Sequence, residues 1–295
     1  MSCVCGLSLF TISSNFNPYK LRERMASVHS TLTYWLVNHP KISNFTWTEG
    51  ETFGSTVFFV SLVVSVYLSA TFLLRHAMVS LPSLSPRILK PITAVHSLIL
   101  CLLSLIMAVG CTLSITSDPT TRFLHAICFP VHVEPNGPVF FWAQVFYLSK
   151  ILEFGDTLLI ILGKSFRRLS FLHVYHHATV LFMCFIWLRT RQSMFPLGVL
   201  TNSTVHVIMY GYYFLCAVGC RPKWKRLVTD FQLVQFIFCF GILALMLSQH
   251  FSGSGCSGIW GIYFTAAFNG SLLALFFNFR SKNYVKKTTE VIKLS

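Results

Sequence analysis

An all-α integral membrane protein with seven transmembrane helices is the fold class this sequence predicts, and three observations predict it. The 295 residues are 54% hydrophobic and only 11% charged, too apolar for an ordinary soluble domain. Seven segments approach the roughly 20 mostly apolar residues that a hydrocarbon layer about 30 Å thick demands of a helix. Lys and Arg gather in every second loop, as they do when short loops alternate between the two sides of a membrane.

The elements follow in order. Residues 55–74 carry no charge and form the cleanest span; the others are expected at 91–115, 138–162, 171–188, 196–218, 231–248 and 258–278. The fourth is the shortest, and histidines crowd its first turns. Ahead of the first span, 28–39 suits an amphipathic surface helix, whereas 1–24 has no such period and ends in a basic run. The apolar stretch at 7–12 is short and lacks a basic region before it, so no cleavable signal is expected and insertion begins at span one. Met25 is an alternative start. The chain divides into an amino-terminal lumenal segment (1–50), a transmembrane domain (51–280) and a basic tail (281–295), with no internal repeat or linker.

Loop charge sets the orientation. Arg75, Arg87 and Lys90 follow span one, Lys164, Arg167 and Arg168 follow span three, and Arg221, Lys223, Lys225 and Arg226 follow span five. Arg280, Lys282, Lys286, Lys287 and Lys293 form the tail. The intervening loops carry Arg122 against Asp118 and Glu134, then Arg189 and Arg191, then no Lys or Arg at 251–257. The basic set is expected in the cytoplasm, which places the amino terminus in the lumen. Asn44-Phe45-Thr46 is a glycosylation sequon on that lumenal side. The net charge of +14 follows from this asymmetry and implies no nucleic-acid partner. Cysteine spacing suggests no metal site. Cys101, Cys111, Cys184, Cys216 and Cys239 fall in spans as packing thiols, while Cys128 and Cys256 share the oxidising side and are expected to form a disulfide.

Ionisable groups are costly inside lipid and by default mark function there. Span three carries Lys150, Glu153 and Thr157 on one helical face with Asp156 beside them, which suits either a buried ion pair or a reactive site. Span four opens with His173, His176 and His177, spaced to face one way. Span five aligns Asn202, His206, Met209, Tyr210 and Tyr213, and span six begins with Thr229, Gln232 and Gln235, which either bond neighbouring helices or line a site. Asn269 in span seven is read the same way. A membrane di-iron oxygenase needs about eight imidazoles from several clusters. Here there is one cluster plus His206, with the remaining histidines scattered, so no metal is expected. A transporter or receptor is the other class that places polar groups at mid-membrane.

Lys150, Glu153, Asp156 and Thr157 resemble the KxxExxDT motif of the ELO family of fatty acid elongases, and His173, His176 and His177 its HxxHH box. Asn202, His206, Met209 and Tyr210 are similar to its NxxxHxxMY motif, and Thr229, Gln232 and Gln235 to its TxxQxxQ motif. The stretch 173–196 is similar to the plant ELO-like branch, and the resemblance covers roughly residues 28–280. It implies a membrane enzyme of the endoplasmic reticulum whose spans two to seven enclose an acyl-CoA tunnel. The implied reaction condenses a long acyl-CoA with malonyl-CoA to give 3-ketoacyl-CoA and carbon dioxide, with no cofactor. His176 is the implied acyl acceptor. His206 would orient malonyl-CoA or its enolate, with Asn202, Gln232 and Gln235 as hydrogen-bond donors. His173, His177, Asp156, Glu153 and Lys150 complete the catalytic set, and Thr157, Tyr210 and Tyr213 the substrate contacts. Lys164, Arg167, Arg168, Arg221, Lys223, Arg226 and Lys282 offer charge to the polyanionic CoA. A ketoacyl-CoA reductase, a dehydratase and an enoyl reductase are the implied partners, and a homodimer is compatible. The tail departs from the family's dilysine ending, with only Lys293 suitably placed.

Overall fold

A computed structural model describes residues 18–117, 123–220 and 222–282, and every regular element within them is helical apart from one isolated antiparallel bridge between Thr46 and Asn136. Asp118, Arg122, Arg221, Lys286, Lys287 and Lys293 lie outside the described residues, as does the stretch 1–17. The chain opens with α1 (Pro18–Thr33), a π-helical turn (Tyr34–Asn38) and the short α2 (Pro40–Ser43). The expected surface helix at 28–39 is thus the end of a longer, mostly exposed helix and its π-helical extension. Then come α3 (Val57–Ser80), α4 (Pro86–Thr116), α5 (Phe123–Ile127), α6 (Gly137–Leu152), α7 (Phe154–Leu162), α8 (Phe171–Arg189), α9 (Phe195–Ala217), α10 (Lys225–Ser252) and α11 (Ile259–Arg280).

Local chemistry sets several of these boundaries. The Thr56 hydroxyl accepts the Phe59 N–H at 3.1 Å to cap α3. Ser85 caps α4 with Pro86 at its first position, and the Ser170 hydroxyl accepts the His173 N–H at 3.2 Å to start α8. Helix α3 shows what the surroundings must be. Val60, Val64, Tyr67 and Thr71 form its buried stripe, yet Phe58, Leu62, Val66, Phe72 and Leu73 on the outside are exposed. A helix apolar on both faces, with only one packed against protein, needs lipid against the other.

Among the described residues five helices are long and apolar enough to cross a membrane: α3, α4, α8, α10 and α11. Seven spans were expected, and two are not among these five. Span three is broken at Glu153 into α6 and α7. Span five, the 23-residue α9, is a continuous helix whose Asn202, His206, Tyr210, Tyr212 and Tyr213 dilute its apolar character.

Helix α9 packs most extensively along α4, α10 lies against α11 and α9, and α8 lies against α6, α11 and α3. Most buried apolar side chains join one core that includes Phe146, Trp187, Phe195, Phe236 and Phe268, while Leu100, Met209, Tyr210 and Val228 form a smaller one between α4, α9 and α10. Three loops are knitted together at one end. Cys128 and Cys256 form a disulfide with a Cα separation of 5.0 Å. Beside it the Ser257 N–H bonds Phe129 O at 2.9 Å, the Phe129 N–H bonds Ser193 Oγ at 3.0 Å, and Ser193 Oγ donates to Ser257 O at 2.9 Å. At the opposite end Leu84 N–H reaches Leu162 O at 2.9 Å, and Asp230 accepts from Arg280 Nε at 2.7 Å.

Candidate active site

Two fully enclosed opposite charges anchor the site. Lys150 and Glu153 are only 1% and 2% exposed, and their Nζ and Oε1 are 2.6 Å apart. Lys150 also donates to Asn202 Oδ1 at 3.2 Å and sits 4.0 Å over the Phe146 ring. His206 Nδ1 stands 3.2 Å from the same Glu153 oxygen, within ion-pair reach though not aligned as a hydrogen bond. This cluster ties α6 to α9. Charges placed so deep are tolerable only when paired and further hydrogen-bonded, and Lys150 meets that condition.

The helix breaks at Glu153, and the break distributes its polar residues. The Asp156 N–H bonds back to Glu153 O at 3.1 Å, a tight i to i+3 turn that rotates α7 relative to α6. Lys150 and Glu153 remain paired, whereas Thr157, expected on the same face of one continuous helix, serves different partners. Asp156 accepts a hydrogen bond from Tyr210 OH at 2.8 Å and lies 3.3 Å from His96 Nε2. Thr157 Oγ1 is 3.0 Å from Tyr67 OH and 2.8 Å from His173 Nε2. Gly155 makes the approach of His96 feasible, because a Cβ there would stand 2.6 Å from His96 Cε1.

The three histidines of α8 stand together as expected, with the His177 ring 4.5 Å from that of His173 and 5.5 Å from that of His176, while their further neighbours differ. His177 follows His176 by one residue, about 100° around the helix, and is buried beside Tyr67 and Phe154, with ring centroids 6.4 and 6.2 Å away. His173 engages Thr157. His176 stacks on Phe268 at 6.3 Å and lines a narrow cavity with a volume of about 30 Å³ open to water centres. Asn202, Gln235 and Asn269 line the same cavity, and its walls are otherwise largely apolar, with Val180, Met183, Phe195, Phe236 and Leu272.

The residues singled out from sequence divide accordingly. Lys150, Glu153, Asn202 and His206 form one cluster, Asp156 and Tyr210 a second, Thr157 and His173 a third, and His176 and Gln235 meet at the cavity. Gln232 lies apart from that wall and donates to Met209 Sδ at 3.5 Å. Thr229 is buried near the start of α10. Tyr213 packs edge-on against Tyr210, and the Arg168 guanidinium lies 5.9 Å over its ring, which links a basic loop to the cluster. Lys164 takes a positive φ of 50° in the turn after α7, and Arg167, Lys223 and Lys282 are exposed. Arg226 is 60% exposed and 3.7 Å from Asp230. Sequence reasoning passed over Tyr67 and treated His96 as one of the scattered histidines. The signal for Tyr67 was its place on the inward stripe of a span otherwise free of charge.

Residues 52–291 match the family described as ELO: GNS1/SUR4. The chain is 32% identical over 267 residues to Fatty acid elongase 3-like of Arabidopsis thaliana, a match covering 85% of this chain and 91% of that protein. It is 35% identical over 206 residues to Fatty acid elongase A of Dictyostelium discoideum, covering 66% and 72%. Very long chain fatty acid elongase 5 of Xenopus laevis is 38% identical over 157 residues, covering 49% of each chain.

Proposed function

We propose, from the premise that this chain belongs to the ELO: GNS1/SUR4 family and works in fatty acid elongation, that it is the condensing acyltransferase of that cycle. Its substrates are a long acyl-CoA and malonyl-CoA, and its product is 3-ketoacyl-CoA. The observation that carries this reading is the setting of His176. Its ring lines the cavity, its Nδ1 has no protein partner, and Asn202 and Gln235 share the wall.

A neutral imidazole is a competent nucleophile toward a thioester. In the first half-reaction an imidazole nitrogen of His176 attacks the acyl carbonyl carbon. The carbon–sulfur bond breaks, the ring loses a proton, and CoA leaves as the thiol. In the second, malonyl-CoA loses carbon dioxide, and the electron pair of that bond becomes an enolate whose carbon attacks the acyl carbon. The carbon–nitrogen bond breaks, and the imidazole takes up a proton from water to replace the one that left with the CoA thiol. His206, held near Glu153, orients malonyl-CoA, and the amides of Asn202 and Gln235 are placed to donate to thioester or enolate oxygen as charge develops. The Lys150–Glu153 pair keeps this machinery rigid. In this reading the chemistry takes place on a single ring, that of His176, with no cofactor beyond the two CoA substrates.

In this reading α6 with α7, and α9, join the five longer helices to make seven crossings of the endoplasmic reticulum membrane, with the amino terminus lumenal and the carboxyl terminus cytoplasmic. The acyl tail occupies the cavity as a tunnel, and CoA rests among Lys164, Arg167, Arg168, Lys223, Arg226 and Lys282. The ketoacyl-CoA reductase, dehydratase and enoyl reductase that complete the cycle are the partners this product requires. The test uses the full-length protein and acyl-CoA alone. The acyl group is expected on His176 by mass spectrometry, with free CoA released before malonyl-CoA is added. Modification elsewhere, or CoA release only when both substrates are present, overturns the assignment.

A further inference from the structure

The cavity beside His176 follows one face of α8, where His176, Val180, Met183 and Trp187 all line it. At 1.5 Å per residue it runs for roughly 16 Å from the imidazole to the indole. Beyond Trp187 lie Gln192, in the turn between α8 and α9, and Thr265 of α11. Gln192 is wholly buried, with its own N–H bonded to Trp187 O at 2.9 Å.

Its amide closes a short hydrogen-bonded relay from Trp187. The indole of Trp187 can only donate, and its Nε1 gives a hydrogen to Thr265 Oγ1 at 3.1 Å. That hydroxyl, having accepted, donates to Gln192 Oε1 at 3.1 Å. Gln192 Nε2 is left with two N–H groups and no protein acceptor. Among the described residues lining the cavity, only His176 and Gln192 carry a buried nitrogen of this kind. One marks the reactive end, and the other marks the far end.

A buried donor without an acceptor is penalised, and an apolar residue of similar size would close an alkyl-binding cavity without that penalty. We propose that Gln192 recognises an oxygen on the terminal carbon of the acyl chain, so that the site takes ω-hydroxyacyl thioesters of one length in preference to the plain acyl chain. The inference rests on the acyl-condensing reading above. The depth of this contact is set by a rigid turn. Ser193 next to Gln192 bonds Ser257, and Ser257 bonds Phe129, beside the Cys128–Cys256 disulfide.

The experiment measures condensation by the full-length protein with radiolabelled malonyl-CoA, using plain and ω-hydroxyacyl-CoAs matched in length across a series. At the length whose terminus reaches Gln192, kcat/KM for the ω-hydroxy chain is expected to exceed that for the plain chain by about tenfold. Shorter pairs should show no preference. Gln192→Met should abolish or reverse the preference, and Thr265→Val, which frees the amide to turn, should weaken it. Condensation with no ω-hydroxy preference at any length overturns this proposal and leaves the condensing reading intact, as does a preference unchanged in Gln192→Met. If that variant does not accumulate, the wild-type length series and Thr265→Val decide the matter. Failure to condense any acyl-CoA, plain or ω-hydroxy, overturns the condensing reading, and this inference with it.

Discussion

Glu153 and Asp156 stand three residues apart, and their surroundings assign them different tasks. Glu153 is enclosed with Lys150, so removing either partner strands a buried charge. Lys150→Met or Glu153→Gln alone is expected to cost about 3 to 5 kcal/mol. The double variant should recover most of that stability without recovering turnover, as thermal unfolding in detergent and a condensation assay would show. A double variant no more stable than the singles would mean that the pair acts through separate neighbours. Asp156 is partly accessible, accepts a hydrogen bond from Tyr210 and lies beside His96 rather than a lysine. Asp156→Asn is expected to abolish condensation at unchanged protein level, because the amide no longer offers charge to both groups. Near-normal turnover would return Asp156 to a purely structural role.

The break between α6 and α7 is what lets one stretch of chain serve four neighbours. Before it, Lys150 faces α9; after it, Asp156 meets α4 and α9, and Thr157 meets α3 and α8. Gly155 is the residue on which this arrangement depends. In Gly155→Ala the new Cβ meets the His96 ring at 2.6 Å, so α7 and α4 must part or the ring must turn away from Asp156. A loss of about 1 to 3 kcal/mol and a fall in turnover are expected. Adding His96→Ala should relieve the clash and restore stability while turnover stays low. If turnover returns as well, the His96 contact has no part in the reaction.

Across the whole molecule the two ends have different chemistry. One end is joined by the Cys128–Cys256 disulfide, which closes a loop 128 residues long. Cys256→Ser is expected to cost about 2 to 5 kcal/mol, and peptide mapping of the alkylated, unreduced protein should recover the two cysteines linked. Recovery of both as alkylated thiols would place these loops in a reducing compartment and reverse the orientation. The other end carries the exposed cations. Arg226 is only loosely held by Asp230, which Arg280 engages more closely, so Arg226 remains free to receive phosphate. Arg226→Ala should raise the apparent KM for CoA substrates at nearly constant kcat, an effect that fades as ionic strength rises. A fall in kcat would place Arg226 nearer the chemistry than an exposed loop allows.

The sequence by itself determined the helical class and most of the polar residues of the site, because both are local properties. An apolar stretch long enough for a bilayer must satisfy its backbone internally, and an ionisable group within it is conspicuous wherever it lies. Spacing on one helix cannot say what stands across from it. That Glu153 rather than a neighbour breaks span three, that His176 reaches the cavity while His177 turns toward Tyr67, and that His96 and Tyr67 hold Asp156 and Thr157 were decided by the packing of α3 and α4 on α7, α8 and α9. The unpartnered amide of Gln192 is of the same kind. Nothing in its neighbours along the chain marks it, and its side-chain partner Thr265 lies 73 residues away.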